Sequence, residues 1–279
     1  MIKSKRKKRF NLIVDAVILV FFFIISVYPI IWMISGSLKD SGEFYTNIWG
    51  LPSKLIFSNY VNAWTYGGLG QKFINSFIIT FGSLLIIIPV NSCAAYALAR
   101  LKFKYRSGIY LFLLIGIMIP AGVLGIPTFT VAMKLGLINS RIGLMLVYAA
   151  QNIAMGMFIM RAFFISLPKE LEEASMIDGC SRFGSFVRII LPLAKAGVMT
   201  QVVFHGLSIW NEYFMANIMI TNPDLRTLPL SIANFVGKYT TNYPELFAAL
   251  SIATIPVIII FIIAQKSFIE GVSAGAVKG

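Results

Sequence analysis

Four polar side chains interrupt an apolar run in the last third of the chain: Gln201, His205, Ser208 and Glu212. Their spacing of i, i+4, i+7 and i+11 puts them on one face of a helix. A charge at bilayer depth costs about 2.5–3.5 kcal/mol on insertion scales, so such a face turns toward a bundle interior or toward water. Two chemistries suit it. One is the lining of a hydrophilic pathway, with Trp210 and Asn211 beside it. The other is a set of interhelical hydrogen bonds, each worth roughly 0.6–2 kcal/mol. Reaction chemistry has less to work with. His205 is the single histidine, which excludes a multi-histidine metal site. Cys93 and Cys180 are far apart and sit in no metal or redox spacing. The chain has no G-x-x-x-x-G-K-[ST] loop to cradle a nucleotide. No residue is assigned a catalytic or metal-binding role, and no cofactor is expected in this chain.

The elements that must position that face follow from composition. Of the 279 residues 58% are hydrophobic and 13% charged, and the mean hydropathy is +0.81. Soluble domains carry roughly 25% charged and 45–50% apolar residues. An ordinary soluble enzyme, a disordered chain and a disulfide scaffold are therefore excluded. Six apolar stretches run over 12–36, 73–98, 108–133, 141–163, 190–220 and 246–269, each long enough for a bilayer-spanning helix of about 20 residues. They lack the period-two alternation of barrel strands, which leaves helices as the way to satisfy the backbone in lipid. The expected fold is an all-α membrane protein with six transmembrane helices. Its spanning domain runs over 12–269, between a basic N-terminus at 1–11 and a small-residue tail at 270–279. The first stretch is longer than a signal-peptide core and no small-residue cleavage site closes it, so it reads as an uncleaved span. Pro29, Pro89, Pro120, Pro127 and Pro256 should kink spans, and Gly116, Gly122, Gly125, Gly143 and Gly156 permit close helix packing.

Charge sets the orientation. With the N-terminus inside, cytoplasmic segments hold six cations in 3–9, four in 100–106, five in 161–195, and Lys266 and Lys278. Seven of the 24 remain outside: Lys39, Lys54, Lys72, Lys134, Arg141, Arg226 and Lys238. By the positive-inside rule both termini are cytoplasmic. The net charge of +13 is then a consequence of topology, and no nucleic-acid partner is expected. Outside, 37–71 is rich in aromatics and turns, fit either for the membrane interface or for a small docking surface.

The segment 167–192, between the fourth and fifth spans, is the most informative. Pro168 suits the first turn of a helix, and Glu170, Glu172 and Glu173 follow where the helix dipole favours them. Ala174 and Ser175 are small enough for close contact with another surface. Asp178-Gly179 stops the helix, and Gly179 is expected to need positive φ. A second short amphipathic stretch leads to Ile189, Leu191 and Pro192. Physics alone gives a helix–turn–helix on the cytoplasmic face.

Glu173-Ala174-Ser175, Asp178-Gly179 and Ile189-Ile190-Leu191-Pro192 resemble the EAA-type loop of ABC importer permeases, E-A-A-x3-G followed by I-x-L-P, with Ser175 in place of the second alanine. The resemblance implies a coupling helix docked in a cleft of a cytoplasmic ATPase. Asn59-Tyr60, Asn75-Ser76, Trp210-Asn211-Glu212-Tyr213, Arg226-Thr227-Leu228-Pro229-Leu230 and the tail from Gly271 to Gly279 are similar to carbohydrate-importer permeases, most closely the second subunit of maltose-type importers. That likeness implies a second homologous permease, an ATPase dimer holding ATP and magnesium, an extracytoplasmic sugar-binding protein, a saccharide substrate and residence in a prokaryotic plasma membrane; mono-, di- and longer saccharides stay open, with an oligosaccharide favoured. It further implies that Gly271, Gly275 and Gly279 lie on a tail reaching between the ATPase subunits, and leaves Trp210 and Tyr213 available to stack on sugar rings.

Two other classes compete. A membrane enzyme wants converging nucleophile, base or metal ligands, and one histidine with one intramembrane glutamate is poor material. An ion-coupled secondary transporter more usually shows coupling carboxylates and a repeat of spans, and no repeat is visible. Only a subunit driven by a separate ATPase, and not itself an enzyme, needs a docking element at 167–192.

Overall fold

The apolar runs fold as helices, and no strand occurs among the described residues. The computed structural model describes residues 2–120, 122–236 and 241–276. In chain order the helices are α1 (Ile2–Ser37), α2 (Ser41–Thr46), α3 (Ser58–Trp64), α4 (Leu69–Arg100), α5 (Arg106–Met118), α6 (Gly125–Lys134) and α7 (Arg141–Ser166). They continue as α8 (Glu170–Ile177), α9 (Arg182–Ser185), α10 (Leu191–Leu193), α11 (Lys195–Trp210), α12 (Phe214–Met219), α13 (Leu228–Ile232) and α14 (Tyr243–Ala276).

Four stretches are long and apolar enough to cross a bilayer without a break: Leu12–Ser37, Leu69–Arg100, Arg141–Ser166 and Tyr243–Gln265. The other two expected spans are each interrupted. The third is split into α5 and α6, because Ile119 takes an extended backbone (φ −86°, ψ 119°) ahead of Pro120, a residue that disfavours helix in its predecessor. The fifth begins as a single π turn over Phe186–Ile190, in which the Leu191 amide reaches back to the Phe186 carbonyl. It then bends by 71° between Arg182–Leu193 and Lys195–Trp210, just past Pro192, and breaks again between α11 and α12. The small-residue tail is helical as far as Ala276, which places Gly271 and Gly275 on α14, while Gly279 lies outside the described residues.

The chain divides into two units, residues 1–69 with 232–254, and residues 70–231 with 255–279. In the first unit the side chains of Leu12 to Ile25 are exposed throughout. Apolar side chains exposed around a helical stretch suit lipid or a partner helix. The segment after α1 folds over its end instead. Trp32 donates from its indole to the Ile48 carbonyl (3.0 Å) and meets Phe247 edge-on at 5.0 Å. Phe44 stacks on Tyr243 at 5.3 Å. Asn59 donates to the carbonyls of Ser37 and Lys39, both at 2.8 Å. Lys39 is buried with its ammonium on the Asn47 and Ile48 carbonyls. Ser53 hydrogen-bonds the Glu43 carboxylate and holds its pKa below the ordinary value. Trp49 and Tyr66 remain on the outside, 71% and 88% exposed.

Among the described residues of the second unit, two apolar clusters stand out. One gathers Ile79, Ile87, Leu144, Val147, Ile209 and Met219. The other gathers Tyr96, Met157, Met160, Phe164, Phe186 and Ile190. The functional groups lie between and beside them.

Candidate functional site

A layer of amides crosses the second unit where α4, α7 and α11 meet. Asn91 of α4 donates to Gln201 Oε1 of α11 at 2.9 Å. His205 Nδ1 pairs with Asn152 Oδ1 of α7 at 2.8 Å, and Asn152 donates to the Tyr148 carbonyl one turn back (2.8 Å). Gly156 makes room for the layer, since a Cβ there would lie 1.7 Å from Asn91 Nδ2 and 2.7 Å from Gln201 Oε1. Asn91, Gln201 and His205 are fully buried. Asn91 Oδ1, Gln201 Nε2, His205 Nε2 and Gln151 Nε2 have no hydrogen-bond partner among the described residues. Polar groups with open valences inside an apolar bundle are costly, which marks this layer as more than packing.

Beside it is a cavity of about 310 Å³ lined by Tyr148, Gln151, Asn152, Ser208, Glu212 and Phe214 among others. The expected one-sided face is therefore divided. Gln201 and His205 point into the buried layer, whereas Ser208 is exposed to the cavity. Glu212 does not extend the face, because α11 stops at Trp210. Its carboxylate accepts from the backbone amides of Met215 (2.7 Å) and Ala216 (3.1 Å) and from the Tyr148 hydroxyl. The glutamate thus satisfies the open amides at the start of α12 and pins that start to α7. Trp210 is buried, its ring edge-on to Phe73 at 5.4 Å, so it does not present a stacking surface. Asn211 is exposed and donates back to the Leu207 carbonyl (2.9 Å). Tyr213 is 42% exposed.

The segment 167–192 folds as a short helix, a tight turn and a second, π-bulged helix. Gly179 has φ +89°, the left-handed conformation expected of it, and the Cys180 amide closes the turn on the Ser175 carbonyl (3.0 Å). Successive residues of α8 face opposite ways. Glu173, Ala174, Ile177 and Asp178 are exposed. Glu172 and Ser175 are buried. The small-residue pair is therefore split: Ala174 is on the open face, but Ser175 is turned inward, its hydroxyl donating to the Glu172 carbonyl (2.7 Å) and hydrogen-bonded to the Ser185 hydroxyl (2.6 Å). Of the residues that follow, Ile189 and Leu191 are half-buried and Pro192 is exposed.

Two motifs distant in sequence meet. Asn75 donates to the carbonyls of Asp224 (2.7 Å) and Arg226 (2.9 Å), and Ser76 accepts from the Leu228 amide (2.8 Å). The start of α4 and the start of α13 are thereby clipped together. Sequence reasoning passed over Asn91, Tyr148, Gln151 and Asn152 as site residues. The adjacent amides Gln151-Asn152 inside an apolar run were the available signal, with Tyr148 one turn earlier. Tyr96 and Arg100, one turn apart at the end of α4, were missed too.

A buried amide layer beside a cavity, in a bundle whose α4 and α7 are long enough to cross a bilayer, is the build of a membrane transport subunit. Residues 88–273 match the family described as binding-protein-dependent transport system inner membrane component. The chain belongs to that family and is a permease subunit of an ABC transporter. It is 34% identical over 280 residues to the probable ABC transporter permease protein YurM of Bacillus subtilis (strain 168), covering 100% of this chain and 93% of that one. It is 32% identical over 273 residues to the diacetylchitobiose uptake system permease protein NgcG of Streptomyces coelicolor, covering 97% and 90%. Among solved structures, a bacterial ABC transporter that imports the acidic polysaccharide alginate superposes with a TM-score of 0.81 at 26% identity, covering 94% of this chain and 98% of that one.

Proposed function

We propose that this chain forms half of the translocation pathway of an ATP-driven importer for an oligosaccharide. A second, homologous permease forms the other half, an ATPase dimer carrying ATP and magnesium drives it, and an extracytoplasmic binding protein delivers the saccharide. In this reading the spanning domain, 12–269, crosses the plasma membrane six times with both termini in the cytoplasm, the two broken runs counting as spans. The saccharide reading is supported by the substrates named for relatives, diacetylchitobiose and alginate.

The observation that carries the coupling role is the two-sidedness of α8. Its inner face is fixed to α4 through Glu172 and Tyr96, and its outer face offers Glu173, Ala174, Ile177 and the following Asp178 to a partner. A helix that only closed a loop would have no reason to expose Ile177 at 86% while burying Glu172 and Ser175. Ser208, Glu212 and the amide layer supply hydroxyl, carboxylate and carboxamide groups to the pathway, the groups that pair with sugar hydroxyls. The tail at 270–279 reaches the ATPase interface.

The test is purification of the chain with its partners from native membrane, followed by uptake of labelled oligosaccharides into vesicles. An ATPase in the purified complex and ATP-dependent uptake are expected. Uptake that survives without ATP would point to ion coupling and end this reading.

A further inference from the structure

Glu172 is a buried carboxylate that neither the amide layer nor the open face of α8 uses. It projects from α8 into the aromatic cluster at the end of α4, where Tyr96, itself buried, hydrogen-bonds one of its oxygens. The Tyr96 ring lies 4.6 Å from that of Phe186 and 6.0 Å from that of Phe164. Arg100, one turn further along α4, places Nε 3.8 Å from the other Glu172 oxygen, with both side chains nearly buried. The same guanidinium donates from Nη2 to the carbonyl of Leu167, the residue that caps α7, at 2.7 Å. Arg100 therefore hydrogen-bonds the first residue of the three-residue link between α7 and α8 and pairs in charge, without a hydrogen bond, with Glu172 beyond it. Ser175 and Ser185 fasten the inner face one turn on.

We propose that Glu172 is a positioning residue: with Tyr96 and Arg100 it locks α8 to the end of α4, so that the docking helix and that span move as one body. This rests on the reading of α8 as the ATPase-docking helix. A helix joined to its bundle by short turns and apolar contacts alone is free to slide or rock. A buried carboxylate held by a hydroxyl and a guanidinium has few equivalent positions, because any shift leaves a charge unpaired in a dry site. Movement of the partner against the exposed face then passes to α4, and so to Asn91 in the amide layer nine residues earlier on the same helix. The adjacent Glu173, on the opposite side of α8, cannot do this.

The test uses the complete importer in proteoliposomes and reads three quantities: ATPase retained in the complex, ATP hydrolysed, and saccharide taken up. Glu172→Gln keeps the shape but removes the charge, and Tyr96→Phe removes the hydroxyl alone. Both complexes should retain the ATPase and hydrolyse ATP. Uptake per ATP should fall by at least about fivefold, the lower end of ordinary site-to-site coupling. The double variant Glu172→Gln/Arg100→Met leaves no unpaired charge and should recover thermal stability without recovering uptake per ATP. A structural residue would behave otherwise, with coupling returning as stability returns, and that result would overturn the proposal. So would wild-type uptake per ATP in both Glu172→Gln and Tyr96→Phe. An ATPase missing even from the wild-type complex would instead remove the docking reading, and this proposal with it.

Discussion

Alanine at Gly156 is a small change with a calculable cost. The new Cβ would sit 1.7 Å from Asn91 Nδ2 and 2.7 Å from Asn91 Cγ and Gln201 Oε1, where ordinary contact begins at 3.4 Å. Asn91 and Gln201 are wholly buried, so the Asn91 carboxamide must leave its 2.9 Å hydrogen bond to Gln201. That bond is worth about 1 kcal/mol, and stranding the two amides costs about 1–3 kcal/mol more. Against this, alanine is favoured over glycine in a helix interior by about 0.8–1.0 kcal/mol. The steric term wins, and Gly156→Ala should destabilise by about 2 kcal/mol, or roughly 4–8 °C at the size scaling of soluble proteins. Gly116→Ala in α5 is the control. Its Cβ meets only the Ala154 Cβ at 3.7 Å, so the helix-propensity gain should leave that variant at or above wild-type stability. Thermal unfolding of the purified complex in detergent measures both. Removing the obstructing amide should compensate, so Asn91→Ala with Gly156→Ala should be more stable than the sum of the single effects by about 1 kcal/mol or more. A Gly156→Ala protein as stable as wild type, or strict additivity in the double variant, would refute the close fit of α4 to α7.

Three other outcomes follow. Gly179→Val places a β-branched residue at φ +89°, at a cost above the ~1–2 kcal/mol of an ordinary left-handed residue; the chain should remain in the membrane but lose the co-purifying ATPase, as should Ala174→Arg on the exposed face. Ser208→Leu should obstruct the cavity and lower uptake at unchanged thermal stability, whereas Glu212→Ala should lose about 1–3 kcal/mol by stranding Tyr148 and the Met215 and Ala216 amides, so stability measured beside uptake separates lining from cross-linking. Deleting residues 272–279 should leave the ATPases bound but weaken stimulation of hydrolysis by sugar-loaded binding protein, and unchanged stimulation in vesicles would show a frayed end.

Periodicity and length carried the helical class, because a run of apolar residues is a local property. The positive φ at Gly179 was legible for the same reason: Asp178-Gly179 after a helix is local turn chemistry. What escaped was set by partners far apart in sequence. Nothing near Asn91 announces Gln201, which is 110 residues away, and nothing near Glu172 announces Tyr96, 76 residues away. Within Glu172-Glu173 the two carboxylates are alike in type and neighbourhood, yet one is buried and the other exposed; the phase of α8 against α4 decides between them. Ser175 was assigned to an outer contact because it is small. Its hydroxyl instead finds Ser185 once the turn at Gly179 brings the second helix alongside.

The interruptions of the third and fifth runs share a cause that helical periodicity hides. Irregular backbone at membrane depth persists only where protein or a cavity satisfies it, and the α5–α6 and α11–α12 breaks, unlike the bend past Pro192, border the same cavity. Gly122, in the break between α5 and α6, lines it, as do Glu212 and Phe214 at the break between α11 and α12. The second break is satisfied by the Glu212 carboxylate on the amides of α12. The two breaks are also fitted to each other, for a Cβ on Gly125 would lie 2.5 Å from the Phe214 ring. Reading each run as one continuous helix therefore projects Glu212 along a helical face. Its position is set instead by the end of α11, which frees the side chain to cap α12 and meet Tyr148. The break after α11 brings the Glu212 carboxylate to the cavity that the Ser208 hydroxyl and the Gln151 and Asn152 carboxamides line from within α11 and α7.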